Sequence, residues 1–164
     1  MKIYIIDGYN FIYKTPLEKI LDRDLKEARD GLINLCLGFK QRRQDIRKIV
    51  IVFDGDSRFA GLGRDSRPGI EVIYTNTGED ADERIIEVLE KNKSHKGLFV
   101  VSDDNFVGNH ARIYSADVIL SAAFYAELTK IKSAKPQTEK SSGKQIPPDV
   151  ARDVTDSYRR HLGL

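Results

Sequence analysis

Aspartates follow short apolar runs at several places in this chain of 164 residues. Asp7 and Asp54 come directly after such runs, and Asp103 follows another after a single serine. Runs rich in β-branched residues and bounded by Asp-Gly or Ser-Asp predict buried strands that end in turns. Because ligands bind beyond the carboxyl ends of the strands in open parallel sheets, the spacing predicts carboxylates gathered at one edge of a sheet.

A further acidic segment, residues 79–83, contributes Asp80 and Asp82 at the start of a predicted helix. Two carboxylates about 4 Å apart repel each other by about 4 kcal/mol at an effective dielectric constant near 20. Either their pKa values rise or a cation lies among them. Oxygen ligands favour Mg²⁺ or Mn²⁺, which activate water and stabilise displacement at phosphorus. The expected chemistry is hydrolysis of a phosphodiester.

The elements that must position these residues alternate along the chain. Alternating strands and helices imply right-handed βαβ units and a parallel sheet covered on both faces. The expected loop covers residues 55–69. The apolar runs predict strands at 3–6, 48–53, 70–74 and 98–101, with a short fifth strand at 111–114. Helical spacing predicts one long helix over 17–44 or two with a break after Pro16, a helix near Asp80 capped by Thr77, and a helix capped by Ser115.

The character of the chain changes after about residue 130. Residues 131–148 are rich in Ser, Lys, Pro and Gln, which predicts a flexible linker between a domain at 1–130 and a C-terminal helix at 149–164. The predicted helix carries a narrow apolar stripe, formed by Val150, Val154, Tyr158 and Leu162. This stripe must dock on the domain, on a second copy to give a homodimer, or on a partner.

Composition limits the class of protein. The net charge is +2, yet basic residues concentrate at 40–48 and 130–148, away from the acidic segments, which fits a polyanion held near a cation-filled acidic site. A single cysteine, Cys36, excludes an intrachain disulfide and a cysteine-based zinc site, and we expect it to be buried. No apolar run has the length of a membrane span or of a signal peptide. We therefore expect a cytoplasmic protein without a membrane partner.

Four motifs follow one another along the chain: Asp7-Gly8-Tyr9-Asn10, Val52-Phe53-Asp54-Gly55, Gly78-Glu79-Asp80-Ala81-Asp82 and Val100-Val101-Ser102-Asp103-Asp104. In this order they resemble the NYN branch of the PIN-like nucleases, and the YacP-like subgroup is most similar. The resemblance covers about residues 1–130 and implies an α/β fold, a PIN-like three-layer α/β/α sandwich with a central, mainly parallel sheet. It further implies dependence on Mg²⁺ or Mn²⁺ and endonucleolytic cleavage of RNA. The second motif also resembles flap-type 5′ nucleases, which share this general fold.

The resemblance also implies roles for individual residues. Asp7 would bind the metal directly or through water, and Asn10 would hold a ligand or the scissile phosphate. Asp54 would support the metal from the second strand. Asp82, with Asp80 as the next choice, would be the carboxylate carried by the helix.

Asp103 would complete the metal centre, with Asp104 as the alternative ligand. The sequence departs from some NYN proteins at the following positions, Asn105 and Phe106, because those proteins carry a further aspartate before the phenylalanine. This departure puts a second, tightly bound metal ion in doubt.

RNA is the expected substrate, held by phosphate contacts from basic side chains. The glycine-rich loop after Asp54 carries three candidates, which we prefer to Arg42 and Arg43: Arg58, Arg64 and Arg67. Tyr9 could stack on an unpaired base, although packing in the core or at the rim is an equal alternative. The ribosome or another RNA-processing partner is compatible with this interpretation.

Two alternatives belong to other functional classes. A phosphatase of the HAD type also places an aspartate after its first strand, but it requires Asp-x-Asp where this chain has Asp7-Gly8-Tyr9. A non-catalytic RNA- or ribosome-binding module on a PIN-like fold is the other alternative. The retained acidic residues argue against it, because binding to a polyanion would favour their loss.

Overall fold

The computed structural model describes residues 1–55 and 64–130, with the backbone alone at 64–66. The predicted linker and C-terminal helix, and also Arg58, lie outside the described residues. Within the described part, no helix is long and apolar enough to cross a membrane. Cys36 is buried, as the sequence predicts.

Strands and helices alternate through the described part of the chain. Their bounds are β1 Lys2–Asp7, α1 Gly8–Tyr13, α2 Glu18–Leu21, α3 Leu25–Gln41, β2 Ile46–Phe53, β3 Arg64–Arg67, β4 Ile70–Tyr74, α4 Ala81–Lys91, β5 Leu98–Val101, α5 Asn105–Ile113, β6 Asp117–Ile119 and α6 Ser121–Thr129.

These strands form a six-stranded sheet in the order β3-β4-β2-β1-β5-β6. β1 lies near the centre and pairs in parallel with β2 and β5, while β4 and β6 extend the parallel sheet on either side. β3 alone runs antiparallel, at the edge next to β4. The prediction of a mainly parallel sheet is confirmed.

Helices cover both faces of the sheet, so the three-layer arrangement is also confirmed. Successive side chains of a strand point to opposite faces, and β1 therefore divides its apolar residues between two cores. Tyr4 and Ile6 belong to a core that also contains residues of α1, α3 and α6. Ile3 and Ile5 belong to a second core, which contains residues of α4 and α5.

The first helical region differs from its prediction. Residues 8–13 form α1, because Asp7 caps this helix and accepts a hydrogen bond from the backbone N–H of Asn10. Of the two alternatives for residues 17–44, one continuous helix is wrong, because the chain forms two helices, and these are divided at 22–24 rather than directly after Pro16. Asp24 caps α3 through hydrogen bonds from the backbone N–H groups of Lys26 and Glu27, and α3 ends at Gln41.

The expected loop at 55–69 contains β3, so the prediction of a loop throughout is wrong. A turn at Pro68-Gly69 joins β3 to β4, and Gly69 has a φ of +78°, which glycine adopts without strain. The antiparallel register pairs Arg64 with Ile73 and Arg67 with Ile70. Over three residues, β3 therefore carries the chain about 10 Å away from the carboxyl ends of the parallel strands.

The strand expected at 111–114 is also wrong, because α5 continues to Ile113. Val107 and Ala111 lie four residues apart on one face of α5, and both are fully buried. Ser115 does not cap a helix; its φ of 58° belongs to the turn that leads into β6. α6 begins only at Ser121, without a side-chain cap.

Candidate active site

The sheet brings the predicted aspartates to one edge. Asp7 is the last residue of β1 and lies opposite Val52, so Asp54 follows directly after the end of the neighbouring strand, β2. On the other side, Ile6 pairs with Val101, which places Ser102 and Asp103 just beyond the end of β5. The prediction that Asp7, Asp54 and Asp103 follow the carboxyl ends of parallel strands is confirmed.

Asp7 is buried at the centre of this edge, with 8% of its surface exposed. Its Oδ1 accepts a hydrogen bond from the backbone N–H of Asn10 at 3.4 Å, and its Oδ2 accepts one from the Ser102 hydroxyl at 3.3 Å. α1 begins immediately after this carboxylate and lies tight against β2. A Cβ atom on Gly8 would be 2.4 Å from the Phe53 ring, so glycine permits the close approach.

The surroundings of Asp7 disfavour its negative charge. Burial is the largest cause, and together with the nearby charges of Asp82 and Asp54 it raises the pKa of Asp7 to about 7. The hydrogen bonds from Asn10 and Ser102 oppose this rise without cancelling it. A carboxylate in this position is stabilised by a proton or by a cation.

Asn10 and Asp103 are joined directly. The backbone N–H of Asp103 donates to the side-chain Oδ1 of Asn10 at 2.9 Å. At the start of α6, the backbone N–H of Ser121 donates to Asp103 Oδ2 at 3.2 Å, and its hydroxyl donates to Asn10 Oδ1 at 3.5 Å. The sequence pattern does not indicate Ser121, because it predicts a helix start at Ser115, whereas α6 begins at Ser121.

Two carboxylates accept hydrogen bonds from backbone N–H groups at the start of α4. Asp54 Oδ1 accepts from the N–H of Ala81 at 2.9 Å, and Asp80 Oδ1 accepts from the N–H of Asp82 at 3.1 Å. Asp80 is the N-cap of α4, so the expectation that Thr77 caps this helix is wrong. These contacts give Asp54 and Asp80 a structural role at the helix start.

Asp82 and Asp104 bring acidic side chains from two helix starts close to each other. Asp82 lies in the first turn of α4, and its pKa is raised by burial first and then by the charges of Asp104, Asp80 and Asp54. Asp104 caps α5 by accepting from the N–H groups of Phe106 and Val107. The backbone N–H of Asp104 also donates to the Ser102 hydroxyl, at 3.1 Å.

Carboxylates from four segments therefore influence one another at this edge, although they do not form a closed ligand shell. In residues 1–55 and 64–130, no group of three acidic, histidine or cysteine side chains lies together as a formed metal site. Their chemistry still fits Mg²⁺, which prefers oxygen ligands and keeps several of its own water molecules. A cation there would relieve the repulsion that raises the pKa values of Asp7 and Asp82.

The residues predicted to contact the substrate, Tyr9, Arg64 and Arg67, lie in three different environments. Tyr9 is half-buried; its ring packs on Phe53 with centroids 5.1 Å apart, and its hydroxyl accepts a hydrogen bond from Arg29 at 3.5 Å. Arg64 lies in β3 opposite Ile73, near the acidic edge. The expectation that Arg67 lies at this edge is wrong, because β3 carries it to the opposite end of the sheet.

The basic segment at 40–48 supports the fold at that opposite end. Arg42 donates to the backbone carbonyl of Leu128 at 2.7 Å, and Arg43 donates to the carboxylate of Asp45. Lys40 donates to the carbonyl of Ile46, the first residue of β2, at 2.9 Å. These contacts agree with the preference against Arg42 and Arg43 as substrate contacts.

Comparison with known protein families identifies the family to which the chain belongs. The family model for the YacP-like NYN domain matches residues 4–162. The chain belongs to the YacP-like NYN family, a branch of the PIN-like nucleases. The match continues past residue 130, where the resemblance in the sequence motifs ends.

Individual YacP proteins agree with this assignment. The chain is 33% identical over 91 residues to a protein of Bacillus subtilis (strain 168) named "Uncharacterized protein YacP", and the match spans about half of that protein's length, 52%. A crystal structure of a mutant form of Rae1 (YacP) from Bacillus subtilis is 26% identical, with a TM-score of 0.62 over 78% of this chain and 75% of the other. Another Rae1 (YacP) structure from that organism, 21% identical, has a TM-score of 0.63 over 99% and 83% of the two chains and shares the fold.

Proposed function

We propose that this YacP-like NYN protein is a metal-dependent endoribonuclease that hydrolyses phosphodiester bonds of RNA. The observation that carries the proposal is the Asp7 carboxylate at the end of the central strand, whose pKa is raised to about 7 by burial first and then by the nearby charges of Asp82 and Asp54. This is the arrangement that a bound cation would stabilise. Membership of a nuclease family supports phosphodiester hydrolysis as the reaction.

The proposed ligands are the carboxylates that face the centre of the edge. Asp7 and Asp82 would hold Mg²⁺ or Mn²⁺, with Asp103 and Asp104 completing the set directly or through water. Asp80 would contribute least, since the charges that act on Asp7 are those of Asp82 and Asp54, and Asp54 would support the ion through its charge. When bound, the metal ion would activate a water molecule and neutralise charge on the phosphate.

Asn10 supplies a different function in this proposal. Its Oδ1 accepts from Asp103 and from Ser121, and this orientation leaves its Nδ2 amino group as a donor. An uncharged donor beside carboxylates can approach a phosphate oxygen that a carboxylate would repel. Asn10 would therefore hold the scissile phosphate while also fixing the backbone of Asp103.

The test uses a circular RNA, which has no ends for an exonuclease. Purified protein is incubated with this RNA in Mg²⁺, in Mn²⁺ and in EDTA, and Asp7→Asn is assayed in parallel. We expect linear products in either metal, none in EDTA, and at least about 100-fold slower cleavage by Asp7→Asn. Intact RNA that nevertheless binds the protein in every metal would instead favour a non-catalytic module, and release of phosphate from p-nitrophenyl phosphate would favour a phosphatase.

A further inference from the structure

A cleft of about 350 Å³ lies beside the group of carboxylates and is not explained by metal binding. Among the residues that the structure describes, its lining contains Tyr9, Tyr13, Leu25, Asp54 and Gly55. The cleft shares Asp54 with the acidic edge, so a ligand that occupies it lies next to the position proposed for the scissile phosphate. Its volume is in the range of sites that hold small molecules or parts of larger ligands.

One wall of the cleft is rigidly supported. The Tyr9 ring packs on Phe53, which is itself fully buried and stacked on Tyr74 with centroids 5.6 Å apart. The Tyr9 hydroxyl accepts from Arg29, which is only 3% exposed and lies 5.5 Å from the Tyr74 ring centroid. The orientation of Tyr9 is thus determined by contacts beneath the cleft.

Tyr13 provides a second aromatic group, with a large exposed surface. It follows Tyr9 by four residues in α1 and therefore lies on the same side of the helix. Its side chain is 56% exposed, although tyrosine usually buries much of its ring. Together, the two tyrosines offer aromatic surface on which a flat ligand can stack.

The polar groups of the cleft select the kind of ligand. Asp54 is exposed and is one of the lining residues, and its negative charge would repel a phosphate group. One of its oxygens accepts from Ala81, and the other is oriented by that contact and can accept from a ligand. A flat ligand with an N–H donor at its edge can stack on the tyrosine rings and donate a hydrogen bond to the Asp54 carboxylate.

We propose that this cleft binds one unpaired RNA base that carries an exocyclic amino group. The base stacks on Tyr13, with Tyr9 as the supported wall, and its amino group donates to Asp54. Adenine, cytosine and guanine have such a group, whereas uracil lacks it. The inference rests on the proposed function for its ligand class, and it assigns the cleft as a determinant of which nucleotide lies beside the cleaved bond.

The experiment measures binding without cleavage, in the Asp7→Asn protein. The probe is a heptauridylate with one central 2-aminopurine, a fluorescent base with an amino group, and its quenching reports stacking on an aromatic ring. We expect Tyr13→Ala to weaken binding by about 5- to 100-fold and to abolish most of the quenching. Tyr13→Phe retains the ring and should retain both signals, as should Ile113→Ala, which changes an exposed apolar residue on α5.

A second probe tests the role of Asp54. Heptauridylates with a central adenosine or a central purine riboside, which lacks the amino group, compete for the same protein. Because hydrogen bonds to charged groups are strong, we expect adenosine to bind about 10-fold more tightly. Equal affinities would overturn the assignment of Asp54 as the acceptor, and unchanged quenching in Tyr13→Ala would overturn the cleft as a base site.

The two proposals fail in different ways. If the circular RNA stays intact with wild-type protein while Tyr13→Ala loses quenching, the base site holds and the nuclease proposal fails. If cleavage depends on Asp7 while Tyr13→Ala binds and quenches like its parent, the nuclease proposal holds and the base site fails.

Discussion

Asn10 and Asp103 lie 93 residues apart in the chain and are joined by a hydrogen bond of 2.9 Å from the Asp103 backbone N–H to Asn10 Oδ1. This bond links α1, which follows the central strand, to the segment that follows β5. The backbone N–H of Ser121 adds a third segment by donating to Asp103 Oδ2. The position of Asp103 thus depends on the side-chain amide of Asn10 and on the start of α6.

Replacing Asn10 by alanine should destabilise the fold through this contact. The Asp103 N–H would lose its acceptor, and an unsatisfied, partly buried donor costs about 1–3 kcal/mol. Ser121→Ala is the matched control, because its hydroxyl contact is longer, 3.5 Å, and its backbone N–H remains in place. Urea denaturation should show a clearly larger loss for Asn10→Ala; equal losses would show that the side-chain amide does not support Asp103.

Asp80 and Asp82 are neighbours in the acidic segment but should differ in their effects on activity. Asp80 caps α4, and asparagine caps helices about as well as aspartate, so Asp80→Asn should keep activity within about 3-fold. Asp82 is a proposed metal ligand, and Asp82→Asn should reduce the cleavage rate by about 100-fold or more. Rates at saturating Mg²⁺, with thermal melting as a check on folding, separate the two. A larger loss for Asp80→Asn would reverse the assignment.

The raised pKa of Asp7 predicts how stability depends on pH when no metal is present. The folded protein binds this proton with a pKa of about 7, against the ordinary aspartate pKa of 3.8, so it holds more protons than the unfolded chain between those values. The contribution to stability is therefore full below about pH 4 and is lost as pH rises through 7. The loss is at most about 1.4 kcal/mol per pH unit.

Asp7→Asn isolates this contribution, because asparagine does not titrate. In EDTA, the free energy of unfolding of wild type should fall more steeply between pH 5 and 8 than that of the variant, and the variant should be the more stable protein at pH 8. Asp82 also has a raised pKa, but it is present in both proteins. Parallel curves for the two proteins, measured in urea, would contradict the raised pKa of Asp7.

The strand ends were predictable from sequence because local patterns determine them. The runs ending at Asp7, Asp54 and Ser102 are continuous, β-branched and followed by polar residues, and buried parallel strands require this pattern. The edge at which their carboxylates meet then follows from the parallel topology. The sequence therefore predicts that Asp7, Asp54 and Asp103 follow strand ends at one edge, whereas Asn10 is indicated only by the resemblance of its motif to the NYN family.

The errors arose where tertiary contacts or backbone conformation decide the outcome. β3 consists of polar residues and is held in the sheet by pairing with β4. Its sequence therefore lacks the alternation of apolar and polar residues that predicts a strand. Residues 111–113 look like a short strand alone, but Val107 and Ala111 together bury one face of α5. Ser115 has a left-handed backbone conformation just after α5, and the presence of a serine does not predict that conformation. Because the pattern predicts a helix start at Ser115, it does not indicate Ser121, where α6 begins.

The dependence of RNA cleavage on Mg²⁺ tests the central claim most directly, namely that carboxylates around Asp7 hold the catalytic ion. Single-turnover cleavage of one labelled RNA is measured at increasing Mg²⁺ with wild type, Asp7→Asn and Asp80→Asn. We predict that the wild-type and Asp80→Asn rates rise from zero to a similar plateau, while Asp7→Asn stays at least about 100-fold slower throughout. Cleavage by Asp7→Asn at the wild-type rate, or a wild-type rate that does not depend on Mg²⁺ or Mn²⁺, would contradict it.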